Sequence, residues 1–254
     1  MAVENWTREQ TVVALNTYCK IPFNRVSSNH PEIIRISKII GRSANSLKMK
    51  IGNFGSFDLE LKAKGIVGLA NASKLDKIVW DEFSSNWENL GYESELIISN
   101  FANKPIEKTS KIDLDNLPLG KEREAIIKAR VNQNFFRSTI LSSYNSKCCI
   151  TGLSIPDFLV ASHIIPWAKD DKIRLNPHNG VCINSIHDKA FDKGFITITT
   201  DYKIKVSKYF SDYKFDNAVE DFFLKYQNKS ILLPDRFLPS KEYLDFHQTT
   251  IFKK

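Results

Sequence analysis

The stretch that most restricts the fold runs from Lys147 to Thr199, KCCITGLSIPDFLVASHIIPWAKDDKIRLNPHNGVCINSIHDKAFDKGFITIT. Its apolar runs are short, and turn residues close each of them. FLVASHIIPW reads as a strand holding one histidine and ended by Pro166. NPHNG is a dense turn signal and is followed by the strand-like VCI. IHDKAFDKG suits a brief helix from His187 to Gly194, leading into a further strand, FITIT. Strand, loop, strand and helix in this order define an α+β module. With His163 on the first strand and His187 on the helix, the module can bring two imidazoles towards one point. Hydrolysis of a phosphodiester needs a base to activate water and a cation to stabilise charge on the phosphate and the leaving oxygen. Neutral imidazole suits the first role near pH 7, and imidazole or carboxylate can hold the cation.

The first 83 residues read as helical. Thr7 can cap a helix whose Val12, Val13, Leu15 and Tyr18 share a face, ending before Pro22. Ser28 or Asn29 is expected to cap the next, with Pro31 in its first turn and Ile33, Ile34, Ile36, Ile39 and Ile40 inside. Gly41 then ends that helix and Ser43 caps a third, through ANSLKMKIGNF. This is a helix-turn-helix-like arrangement. Arg42 stands at the entrance of the second helix, with Asn45, Ser46, Lys48 and Lys50 following, and these types suit phosphates or base edges. The plainer reading is a small helical bundle with a solvated basic face. Residues 84–120 are polar and turn-rich and read as a connector. From Lys121 to Tyr144 a long helix is expected, with Phe136, Ile140 and Leu141 on an apolar face and Arg123, Lys128, Arg130 and Arg137 on a basic one. Arg137 suits either a phosphate contact or an ordinary surface position. The organisation is thus a helical module over 1–83, a connector over 84–120 and a second domain over 121–254 with its core motif at 148–198.

A net charge of +7 permits a polyanionic partner without requiring one. The four cysteines, Cys19, Cys148, Cys149 and Cys182, form no C-x-x-C pair, so neither a disulfide framework nor a structural zinc is expected. The opening MAVENWTREQ has no apolar signal region, and no apolar stretch approaches a membrane span. The expectation is a cytoplasmic protein with reduced thiols and no membrane partner.

ASHIIPW, NPHNG and IHDKAFDKG, in that order, resemble the motifs of the HNH endonucleases, also called ββα-metal or His-Me finger nucleases. The preceding ARVNQNFFRSTILSSYNSKCCITG resembles the lead-in helix of a branch that includes bacterial restriction endonucleases, so the likeness covers about residues 130–199. The resemblance implies that His163 is the general base, that Asn179 holds the loop and so orients the base, and that His187 is a ligand to one divalent cation. It implies magnesium, with manganese or nickel as substitutes, and no small-molecule cofactor. Many family members place Asp or His directly before the base. Here that position is Ser162, so the second ligand is Ser162 through water, or a carboxylate such as Asp188 or Asp192. The implied substrate is double-stranded DNA, with the nuclease motif at the minor groove and the helical module at the major groove. Cutting both strands points to a homodimer. Competing readings are a homing enzyme, a partner-gated antiphage nuclease, a catalytically silent DNA-binding protein and an RNA-directed nuclease. Intact His163, Asn179 and His187 weigh against the silent reading. Trp167 is expected to pack the hairpin, His178 to be exposed in the turn with no assigned role, and His30 and His247 to be structural or solvated.

Overall fold

Thr7 opens the chain's first helix, α1 (Arg8–Lys20), through a capping box: its hydroxyl accepts from Gln10 N–H while the Gln10 side chain accepts from Thr7 N–H. The structure, a computed structural model, describes residues 5–69, 71–84, 86–112, 121–169 and 172–254. Helix α2 (Pro31–Ile39) is capped by His30, whose Nδ1 accepts from Glu32 N–H at 3.2 Å, and not by Ser28 or Asn29. Pro31 occupies the first helical position, where a missing N–H costs nothing. Gly41, at φ +69°, takes the left-handed conformation that stops α2, and Ser43 caps α3 (Ala44–Gly55). There follow α4 (Leu59–Ala63), α5 (Lys74–Phe83), α6 (Trp87–Ala102), α7 (Ile106–Thr109) and α8 (Lys121–Ser143).

Helix α1 is the centre of this first unit and packs against α3, α5 and α6. Its burial exceeds the single face read from the sequence, because Gln10 through Cys19 are all buried. The polar members of that run are tolerated inside because each finds a partner. Thr11 and Thr17 donate to the carbonyls of Thr7 and Val13, each at 2.7 Å, and Asn16 donates to Ser94 and Glu95.

The segment 84–120 carries α6, which packs on α1; Ser85 and residues 113–120 lie outside the described residues. A Cβ at Gly91 of α6 would stand 3.1 Å from Asn132 and Phe135 of α8, so these two helices approach closely. The chain divides into two compact units between Thr139 and Ile140, inside α8.

In the second unit β1 (Leu159–His163) pairs antiparallel with β2 (Gly180–Asn184), placing His163 opposite Gly180 and Ser162 opposite Val181. Helix α9 (Ser185–Asp192) follows β2 without a loop and packs on both strands. Asn184 caps it, its Oδ1 accepting from Ile186 N–H and His187 N–H. Gly194 ends it at φ +73°, and a Cβ there would stand 2.1 Å from the carbonyl oxygen of Ile251. A second hairpin, β3 (Ile196–Ile198) and β4 (Ile204–Val206), is followed by α10 (Asn217–Phe222), α11 (Lys241–Phe246) and a π-helical turn over His247–Ile251. That turn returns the chain to α9, where the His247 ring stacks on Phe191 with centroids 3.8 Å apart. Among the described residues no helix is long and apolar enough to cross a membrane.

Candidate active site

His163 ends β1 half-buried, just before the chain leaves the hairpin for the 164–178 loop. Its Nε2 lies 2.8 Å from the Arg174 carbonyl oxygen. A carbonyl only accepts, so Nε2 carries the proton and Nδ1 is the basic nitrogen. Burial lowers the His163 pKa below its ordinary value, and the Arg174 carbonyl and the Asp188 charge pull against that shift without reversing it. The imidazole is therefore neutral near pH 7. Trp167 meets it edge-on, with ring centroids 5.4 Å apart.

Asn179, fully buried, closes the same loop. Its Oδ1 accepts from Ile165 N–H at 2.8 Å, its Nδ2 donates to the Ile165 carbonyl at 3.1 Å, and its own carbonyl accepts from Ile164 N–H. The side chain thus mimics a strand partner for Ile165, while the Asn179 backbone carbonyl holds Ile164.

His187, expected as a metal ligand, is engaged at both ring nitrogens. It is 1% exposed, its Nδ1 accepts from Asn184 Nδ2 at 2.9 Å, and its Nε2 donates to the Phe222 carbonyl at 2.6 Å. Phe223 and Tyr226 meet its ring edge-on. Both nitrogens are therefore engaged in fastening α9 to the 222–226 segment. Adjacent helix positions point about 100° apart, so Asp188 faces away from this contact. Asp188 acts electrostatically on both His163 and Asp192, and Asp192, four residues on, shares its side of α9. Burial first and the Asp188 charge second raise the Asp192 pKa, with Lys189 and Lys193 opposing.

Ser162 is buried, and its Oγ has no hydrogen-bond partner among the described residues. Among the described residues no group of three or more His, Cys, Asp or Glu side chains forms a metal cage. A magnesium ion does not need one, because it is commonly held by one or two carboxylates, with water and substrate phosphate completing its octahedron. Two carboxylates, one near enough to raise the pKa of the other, and a buried hydroxyl without a partner among the described residues are groups of the kind such an ion takes.

Cys148 is buried against the other side of α9. Burial pushes its thiol up, but the adjacent His187 and the Thr151 N–H, 3.5 Å from its sulfur, outweigh burial and bring it to about 7. Cys149 goes the opposite way, raised well above the ordinary value by burial, with Cys148 and Cys182 nearby. All four cysteines are free and buried.

The expected DNA contacts divide in the first unit. Lys50 does not sit on an exposed basic face: it is buried, with Nζ 2.6 Å from Asp76 and 4.7 Å from the Trp6 ring centroid. Arg42 donates to Gln10 and to the Asn5 carbonyl and lies over Trp6, which ties it to the start of α1. Asn45 is exposed and Lys48 half-exposed on α3. Arg137 is exposed on α8. Sequence reading missed Arg174, which lies in a loop with no periodicity and meets His163 only once that loop closes.

Residues 148–199 match the family model described as HNH endonuclease. The match covers the hairpin, α9 and β3, and the antiparallel pair followed by a helix is consistent with a ββα module of that family. It supports nuclease activity and DNA binding for this part of the chain. No curated protein matches the chain.

Proposed function

We propose that this chain is a divalent-metal-dependent endonuclease hydrolysing phosphodiester bonds of double-stranded DNA, and specifically a restriction-type enzyme acting as a homodimer. The observation that carries the catalytic reading is the hydrogen bond from His163 Nε2 to the Arg174 carbonyl, which makes Nδ1 the proton acceptor. In this reading His163 takes a proton from the attacking water, and its burial keeps the imidazole unprotonated at working pH. Asn179 holds the 164–178 loop, and with it the ring, in place. Asp188 and Asp192, with Ser162 through water, would hold the cation, which supplies charge stabilisation at the phosphate and the leaving oxygen when bound. His187 acts as a positioning residue that fixes the roll of α9, and so the direction of the two carboxylates. Asn45 and Lys48 of the helix-turn-helix-like pair, with Arg137, are the contacts to DNA outside the hairpin.

The test is cleavage of unmodified and cytosine-methylated plasmid DNA with magnesium or manganese by wild type and His163→Ala. Discrete fragments from wild type and a loss of at least about 100-fold in the variant are expected, in line with the usual contribution of a general base. Wild-type rates from His163→Ala would overturn the base assignment. A smear instead of fragments would remove the restriction role and leave a non-specific nuclease. Sedimentation of the protein with and without DNA tests the dimer.

A further inference from the structure

Resting on that nuclease reading, we infer that the Arg174 side chain binds the DNA phosphate at or next to the bond His163 attacks, as a further catalytic residue. Arg174 makes no hydrogen bond or ion pair with its guanidinium among the described residues, and its Nε is buried with no partner. A buried donor left unpaired is costly, and proteins rarely keep one without a purpose. A charged donor beside a reaction centre finds its purpose when an anion arrives.

The position of the group is set from two sides. Its backbone carbonyl accepts from His163 Nε2, so the residue that orients the base also carries the unpaired cation. Its guanidinium carbon stands 5.0 Å from the Trp167 ring centroid, and the same ring meets His163 at 5.4 Å. The guanidinium is therefore within about 10 Å of the imidazole, a span that takes in one phosphate or its neighbour along a strand. Its place over the indole holds the guanidinium beside His163 and leaves N–H groups for an acceptor. Phosphate oxygens match that fork two at a time. A surface arginine of the ordinary kind would show a solvated head and no aromatic backing. Lys50 and Arg42 show the other ordinary fate, engagement by groups of the protein itself.

The experiment compares wild type, Arg174→Ala and Arg174→Lys as full chains, after thermal unfolding shows which variants fold. Binding to a labelled DNA duplex is measured in EDTA across a salt series, and cleavage of plasmid DNA is measured with magnesium. Loss of one phosphate contact reduces the slope of log affinity against log salt by about 0.9. Arg174→Ala is expected to show that reduction together with a roughly 100-fold loss of cleavage, the scale seen when one transition-state donor is removed. Arg174→Lys keeps the charge and the slope but loses the fork, and is expected to cut about tenfold more slowly than wild type. A wild-type slope in Arg174→Ala overturns the proposal, even if cleavage falls, because the arginine would then act only as a staple on Trp167. Should Arg174→Ala not fold, Arg174→Lys decides: unchanged cleavage overturns the proposal. Wild type that binds DNA without cutting it would end the nuclease reading, while the salt slope would still decide whether Arg174 meets a phosphate. Wild type that does not bind DNA would end both.

Discussion

In the proposed site His163 and Asn179 act through the backbone between them. His163 gains its tautomer from a carbonyl eleven positions away, and Asn179 gains its effect by replacing a strand over Ile164 and Ile165. The Asn179 side chain is therefore expected to matter for rate more than for binding. In Asn179→Ala the loop loses two hydrogen bonds and the imidazole loses its fixed place, and a displacement of about 1 Å can cost roughly 100-fold in kcat. Single-turnover cleavage should fall by that order while the DNA dissociation constant stays within about twofold. An equal loss in both would show that Asn179 shapes the binding surface instead. Ser162 is the other informative residue. Its hydroxyl is buried without a partner among the described residues, and in the proposed site it is the group placed to meet the cation through water.

Among the elements, α9 is a short helix with two occupations. One side, through His187 and the Asn184 cap, is bolted to Phe222, and the neighbouring side presents Asp188 and Asp192. Helical geometry makes the two compatible, since consecutive residues diverge by about 100°. Helix α3 shows how a basic-looking helix can be a structural one. Lys50 and Asp76 are 7% and 0% exposed at the side chain, and Asp76 also accepts from Asn53 and from Ser73 N–H at the start of α5. Removing one partner of a buried pair leaves an uncompensated charge inside, at a cost of about 3–5 kcal/mol. Asp76→Ala should lower the stability of the first unit by that amount in urea titration. A loss under about 1 kcal/mol, the worth of a surface ion pair, would show the pair to be solvated.

Across the whole chain, each of the two units has its own core, and the second is sealed by its last residues. His247 is 1% exposed, accepts from Thr197 Oγ1 at 2.8 Å and donates to the Phe191 carbonyl at 3.1 Å. Burial brings its pKa down to about 4, against the Phe191 hydrogen bond. The unfolded chain, with a histidine near 6.5, takes up a proton before the folded one does. The stability this group contributes is whole above about pH 6.5 and declines as pH falls towards 4, by roughly 3 kcal/mol over that window. Denaturant midpoints of wild type should fall through that window, and His247→Gln should flatten the decline. An equal decline in both would assign the acid sensitivity to other groups.

Local order was legible in the sequence wherever a residue acts on its immediate neighbours. Thr7 and Ser43 cap where the pattern places them, Gly41 and Gly194 stop helices by entering the left-handed region, and the strand, turn, strand and helix of 159–192 follow from short apolar runs closed by Pro166 and the NPHNG turn. The likeness to HNH nucleases was legible for the same reason, because its motifs are local. Other features came only with the tertiary structure. His30 displaces Ser28 and Asn29 as a cap because its ring reaches Glu32 N–H. Lys50 is drawn inward by Asp76, 26 positions away, and His187 is engaged by the Phe222 carbonyl, 35 positions away. Arg174 reaches His163 only through loop closure. A sequence states which side chains can donate, accept or carry charge; which partner each one meets depends on contacts between distant segments, and those exist only once the chain has folded.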